Sequence, residues 1–192
     1  MIISVIFVLL FLAFLMGIIL VPKIDGKINM IKVAVMGIMA IFCYQSFWAF
    51  MFQLVGIPVN LKSTCISMAA AVLLLWGMII KKKKMQRIFV RITDIAVLAV
   101  LAGIVIAVSL HMFTPYLRLS YINSDPANHF NDAMVIVKQG VLGKHIYFSA
   151  FVNAMFIEIF SPILIVSKYY KAFIFADIFM HVLEVWMCYV LM

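Results

Sequence analysis

Asp125, His129 and Asp132 stand at i, i+4 and i+7 within Ser124-Asp125-Pro126-Ala127-Asn128-His129-Phe130-Asn131-Asp132-Ala133, so a helix there sets them on one face. Two carboxylates and an imidazole so placed could take a proton from a substrate hydroxyl. The same spacing returns near the end of the chain in Asp177, His181 and Glu184, with Glu158 ahead of them inside an apolar run. Ionisable groups in apolar runs are costly and face a bundle interior or an aqueous cavity. Each group also has a plainer reading. Asp125 suits a helix cap, His129 an exposed interfacial residue, Asp132 a solvated charge, and the second set a neutral packing network.

The elements that must carry these groups are membrane helices. Hydrophobic residues make up 68% of the 192 residues and charged ones 11%, and the mean hydropathy is +1.22, outside the balance of a soluble domain. Six apolar runs, 1–21, 31–55, 64–80, 92–112, 149–166 and 172–192, have about the length needed to cross ~30 Å of hydrocarbon. Only helices satisfy their backbone groups there, so the expected fold is an all-α polytopic membrane protein. The first run lacks a basic leader and a small-residue cleavage site, and reads as a span.

The longest polar connection is 113–148. Within it, Asp125 suits an N-cap, Pro126 the first helical position and Gly140 a left-handed end, which predicts a helix over Asp125–Gln139. Ala127, Phe130, Met134, Val137 and Val141 form its expected apolar stripe, with Asp125, His129 and Asp132 on another face. Such a helix would lie in the membrane interface, its acids and imidazole toward water or a headgroup.

Basic residues set the expected orientation. Eleven of them (Lys23, Lys27, Lys32, Lys81, Lys82, Lys83, Lys84, Arg87, Arg91, Lys168 and Lys171) fall on one side if 21–30, 81–91 and 168–171 share it, against Lys62, Arg118, Lys138 and Lys144. The positive-inside rule makes the first side cytoplasmic, with both termini and 113–148 outside a cell membrane. The net charge of +8 is not a nucleic-acid footprint, because the cations sit at span ends rather than on one soluble face. Lys81 to Lys84 read as a topological anchor that also attracts anionic lipid. Cys43, Cys65 and Cys188 suggest neither a disulfide framework nor a thiolate metal site. Gln45 and Gln53 are expected to bond across helices.

The stretch from Ser124 to Ala133, between two spans on the outer side, resembles the first outer loop of GT-C membrane glycosyltransferases, which carries an essential acid and an interfacial helix. The resemblance implies transfer of a sugar from a polyprenyl-phosphate donor outside the cytoplasm, in cell-envelope glycan assembly. It makes Asp125 the loop acid, as general base or as part of a divalent-cation site, with His129 and Asp132 as further catalytic candidates. A phosphate leaving group needs a cation, and Arg118 and Lys138 are the candidates, with Lys144 also on that side. Residues 92–192 would be a partial GT-C-like core: a span, the loop helix and two spans. Residues 1–91 would be an N-terminal module of three spans closed by the basic loop. The family has more spans after the loop, so the chain is read as a piece of a larger protein.

Glu158, Asp177, His181 and Glu184 support a different class, a transporter-like or non-catalytic accessory membrane protein. The sharp version is a proton or cation pathway; the weaker one is metal binding by His181 and Glu184 with Glu158. The partners implied are the lipid bilayer and, under the first reading, the polyprenyl-phosphate donor.

Overall fold

The computed structural model describes the backbone of residues 2–22, 27–81, 87–113, 125–142 and 148–192, and most of their side chains. Among them the α-helices are α1 (Ile2–Leu20), α2 (Met30–Val55), α3 (Leu61–Lys81), α4 (Ile92–Phe113), α5 (Asp125–Gln139), α6 (Phe148–Phe160) and α7 (Tyr169–Leu191). Two three-residue strands, β1 (Lys27–Asn29) and β2 (Arg87–Phe89), precede α2 and α4, and a 3₁₀ turn (Val166–Lys168) leads into α7. By length and composition α2, α3, α4 and α7 can cross a membrane; α1 and α6 contribute shorter apolar stretches, Ile6–Leu20 and Ser149–Phe160.

Contacts between helices fix their directions. Gly17 of α1 lies on Val33 of α2 and Gly37 of α2 on Ala13 of α1, an antiparallel crossing. A Cβ on Gly37 would fall 1.8 Å from the Ala13 carbonyl oxygen, so only glycine allows this approach. Gly56, at φ 76°, ends α2 in the left-handed conformation and turns the chain into α3. The expected cross-helix role of Gln45 is met here: Ser67 Oγ donates to its Oε1 at 2.7 Å.

β1 and β2 pair in parallel, Lys27 opposite Arg87 and Asn29 opposite Phe89, so α2 and α4 leave from the same end of the bundle. This basic end gathers the 27–29 and 87–89 segments, as their charge suggested. α7 runs against both helices. Tyr189 OH donates to Asp94 Oδ1 at 3.1 Å, Trp186 Nε1 donates to the Leu98 carbonyl at 2.9 Å, and the Phe42 and Phe179 rings lie 6.0 Å apart. The last turns of α7 therefore sit at the basic end, and its first turns at the far end, where α2 and α4 finish.

That geometry corrects two expectations. Residues 149–166 do not form a sixth span: α6 has 13 residues, about 20 Å of rise, and stays at the far end. Pro162 is the reason, because it has no N–H to donate and biases Ser161 away from the helical region. Hydropathy runs through that proline; the helix does not. The 168–171 turn likewise belongs to the far end rather than to the basic end. The first turns of α1 and the last turns of α7 consequently lie at opposite ends of the bundle, which separates the two termini that charge alone had put together.

The main core lies between α2, α5, α6 and α7, with Phe173, Val152, Ile157 and Leu183 almost fully buried. α5 has the expected bounds, and Gly140 at φ 67° ends it. Phe130, Met134 and Val137 of the expected stripe pack against the core, while Asn128, Asn131 and Lys138 are exposed. Ala133 is 0% exposed and Ile136 3%, whereas Val141 of the expected stripe is exposed. His129, one turn before Ala133, and Asp132 are half-buried at the edge of this inward face.

Candidate functional site

The polar seam lies where α5, α6 and α7 meet at the far end. α5 and α7 touch through Phe130 and Phe173, whose rings lie 5.5 Å apart, edge to face. That contact brings His129 of α5 within electrostatic reach of Asp177 on α7, alongside His181 and Glu184. From α6, Asn153 Nδ2 donates to Asp177 Oδ1 at 3.1 Å. Two constellations that stand 48 residues apart in sequence, measured from His129 to Asp177, are thus carried by helices that touch, and the Asn153–Asp177 amide–carboxylate pair is hydrogen-bonded.

Burial divides the group. Asn153 is 0% exposed and Asp177 is half-buried, while His181 and Glu184 are exposed on the helix surface. The Oδ1 atom of Asn153 is buried without a hydrogen-bond partner. An unsatisfied buried carbonyl costs about 1–3 kcal/mol, so an additional donor would gain here. Nothing in the spacing of acids and histidines pointed to Asn153. Its signal was an amide side chain alone in the apolar run 148–160.

The other expected site residues are distributed as follows. Asp132 is half-buried on α5, on the same side of the helix as His129. Lys138 is exposed, nine residues beyond His129 and so about 13 Å along the axis. It does not join the seam. The Asp125 side chain, Arg118 and Lys144 lie outside the described residues. Among the described residues no group of three or more His, Cys, Asp or Glu side chains is placed to hold a metal ion.

Glu158 is separate. Asn60 caps α3, its Oδ1 accepting from Lys62 N and Ser63 N, while Ser63 Oγ accepts from Asn60 N, a reciprocal capping arrangement. Glu158 lies near Leu61 at the start of α3, and its Oε2 is buried without a hydrogen-bond partner among the described residues. Glu158 therefore faces the positive end of the α3 dipole. It does not join Asp177, His181 and Glu184 in one pathway.

On faces turned away from Asn153 and Asp177, α6 and α7 form part of the wall of an apolar cavity of about 350 Å³, lined by Phe151, Met155, Phe156, Phe175 and Phe179 with residues of α1 and α2. Its polar lining is limited to Gln45 and Thr64. The volume is in the range of sites that enclose a ligand, and the lining suits a hydrocarbon chain. The far end is also tied together by backbone: Val59 N–H donates to the Gly140 carbonyl at 2.7 Å, and Leu142 N–H donates to Gln53 Oε1 at 3.2 Å. The latter bond gives Gln53 the cross-element role expected of it.

The chain matches no known protein-family model, no curated protein and no solved structure.

Proposed function

We propose that this is a membrane protein that acts on a lipid-linked substrate at the far end of the bundle, with His129 and Asp177 handling a proton. The observation that carries the reading is the Asn153–Asp177 pair within electrostatic range of His129, on helices whose other faces line an apolar cavity fit for a lipid tail. A carboxylate beside an imidazole is a workable general base pair, and Asn153 can orient either the carboxylate or a substrate donor. The reaction proposed is glycosyl transfer from a polyprenyl-phosphate sugar, the class that the loop from Ser124 to Ala133 resembles. Asp125 and Asp132 would then act from the same helix as His129.

The topology proposed with this reading has five crossings, α1 to α4 and α7, with α5 and α6 both held at the far end. Moving Lys168 and Lys171 to that end leaves nine basic residues at the basic end against six. The bias still makes the basic end cytoplasmic and puts the seam on the outer side, where polyprenyl-linked donors are used.

The test is transfer of labelled hexose from a polyprenyl-phosphate hexose by the chain reconstituted in liposomes. His129→Gln and Asp177→Asn keep side-chain size and should each reduce transfer by roughly 100-fold. Parental transfer in both variants, or none by the parent, would overturn the assignment. A second reading rests on the line of Asp177, His181 and Glu184 down α7, two of them exposed: a proton or cation path. It requires a gradient-driven flux that Asp177→Asn abolishes.

A further inference from the structure

The basic end carries a second built site, unrelated to the seam. Asn29 is its keystone and is only 7% exposed. Its Oδ1 accepts from Ile31 N at 2.9 Å and Lys32 N at 3.4 Å, capping α2, while its Nδ2 donates to Asp94 Oδ2 at 3.1 Å. Tyr189 OH holds the other Asp94 oxygen at 3.1 Å. Asn29, Asp94 and Tyr189 thus satisfy one another and lock the ends of α2, α4 and α7 together.

Around this locked frame stand three cations. Lys32 and Arg91 line a cavity of about 330 Å³ with Asn29, Asp94 and Tyr189. Lys27 and Lys32 line an adjoining one of about 220 Å³, whose walls are otherwise mainly apolar, from Met36, Val190 and Leu191 among others. Asn29, Lys32 and Val190 border both cavities, so they form one amphipathic recess with a polar and an apolar compartment. Among the described residues the carboxylate that lines the recess is Asp94, and both of its oxygens are already engaged by neutral donors. No ion pair neutralises Lys27, Lys32 or Arg91 among the described residues. Arg91 instead lies over the Phe89 ring, 5.7 Å from its centroid, which holds the guanidinium at the rim.

We propose that this recess binds the phosphate-bearing headgroup of an anionic membrane lipid, the phosphate meeting Lys32 and Arg91 and the first part of a chain lying against Met36 and Val190. Phosphate chemistry fits because Arg91 can engage two oxygens at once and Lys32 and Lys27 add point charges. A lipid fits better than a free phosphate because the apolar compartment continues from the polar one at the end of a membrane bundle. Occupancy would tie α2, α4 and α7 together through their shared frame.

The experiment places the full chain in nanodiscs of phosphatidylcholine alone and of phosphatidylcholine with phosphatidylglycerol, and counts retained phosphatidylglycerol by native mass spectrometry. Each basic residue near the surface contributes roughly fivefold, so the double variant Lys32→Gln/Arg91→Gln should retain phosphatidylglycerol about 25-fold more weakly. The charge-keeping pair Lys32→Arg/Arg91→Lys should retain it within about threefold of the parent, which separates charge from misfolding. Equal retention by the parent and the double glutamine variant would overturn the proposal. So would full competition by inorganic phosphate, which would make this a site for a soluble anion.

Discussion

The two ends of the bundle handle polar groups in opposite ways. At the basic end, Asn29, Asp94 and Tyr189 satisfy one another at the bundle edge, and Lys27, Lys32 and Arg91 line the recess around them. At the far end, Asn153 and Asp177 are enclosed between helices, one amide oxygen lacks a partner, and the exposed members of the group, His181 and Glu184, lie on the surface of α7. A closed network resists change and acts as a clasp. An open one leaves bonding capacity for something else, and enclosure makes each unpaired atom more costly than it would be at an edge. The clasp end therefore suits a structural or lipid-binding duty, and the open end suits chemistry.

The sharpest way to break the comparison is to reverse α7, because its direction decides which groups share an end. Single cysteines at Asn131 and Met192, both exposed, should label from opposite faces with an impermeant maleimide in oriented vesicles. The expected contrast is all-or-none. If both react from the same face, α7 does not bring Tyr189 to Asp94, and the clasp and the seam would have to be redrawn.

Truncating one acid at each end measures the difference in stability. Asp177→Ala strips the fully buried Asn153 of its hydrogen-bond partner, and an unsatisfied buried amide should cost about 1–3 kcal/mol. Asp94→Ala frees Asn29 Nδ2 and Tyr189 OH at a recess that water reaches, so about 0.5–1.5 kcal/mol is expected. Unfolding titrations in mixed micelles with an anionic detergent give both values. Equal or reversed costs would mean that the far end is not the more enclosed one.

Much of this was legible in the sequence, and the failures share a cause. The bounds of α5, the left-handed Gly140 and the extents of α2 and α4 follow from caps, glycine and hydropathy, which act over a few neighbouring residues. Pro162 was legible as well, yet the apolar run continued past it, and average hydropathy outweighed one breaker. The direction of α7 was out of reach because the charge of 168–171 looks the same at either end; only the contacts of Phe173, Trp186 and Tyr189 decide it. The His129–Asp177 meeting depends on those contacts too. Asp94, placed near a span end, gave no hint that Asn29 and Tyr189 would converge on it from 65 and 95 residues away.

The smallest expected effect concerns Glu158, the acid that looks most like a functional intramembrane group and sits outside both networks. Glu158→Gln keeps the side-chain size and gives up only the interaction of the charge with the start of α3. That interaction is worth about 0.3–1 kcal/mol, so the variant should unfold within ~1 kcal/mol of the parent. Glu158→Leu also removes a carboxylate oxygen that is buried without a partner, so it should likewise stay within ~1 kcal/mol of the parent. Hexose transfer by the glutamine variant should stay near parental, because α6 turns Asn153 toward Asp177 and Glu158 toward α3. A large loss of transfer with unchanged stability would move Glu158 from the end of α3 into the working site and join the two carboxylates that the structure keeps apart.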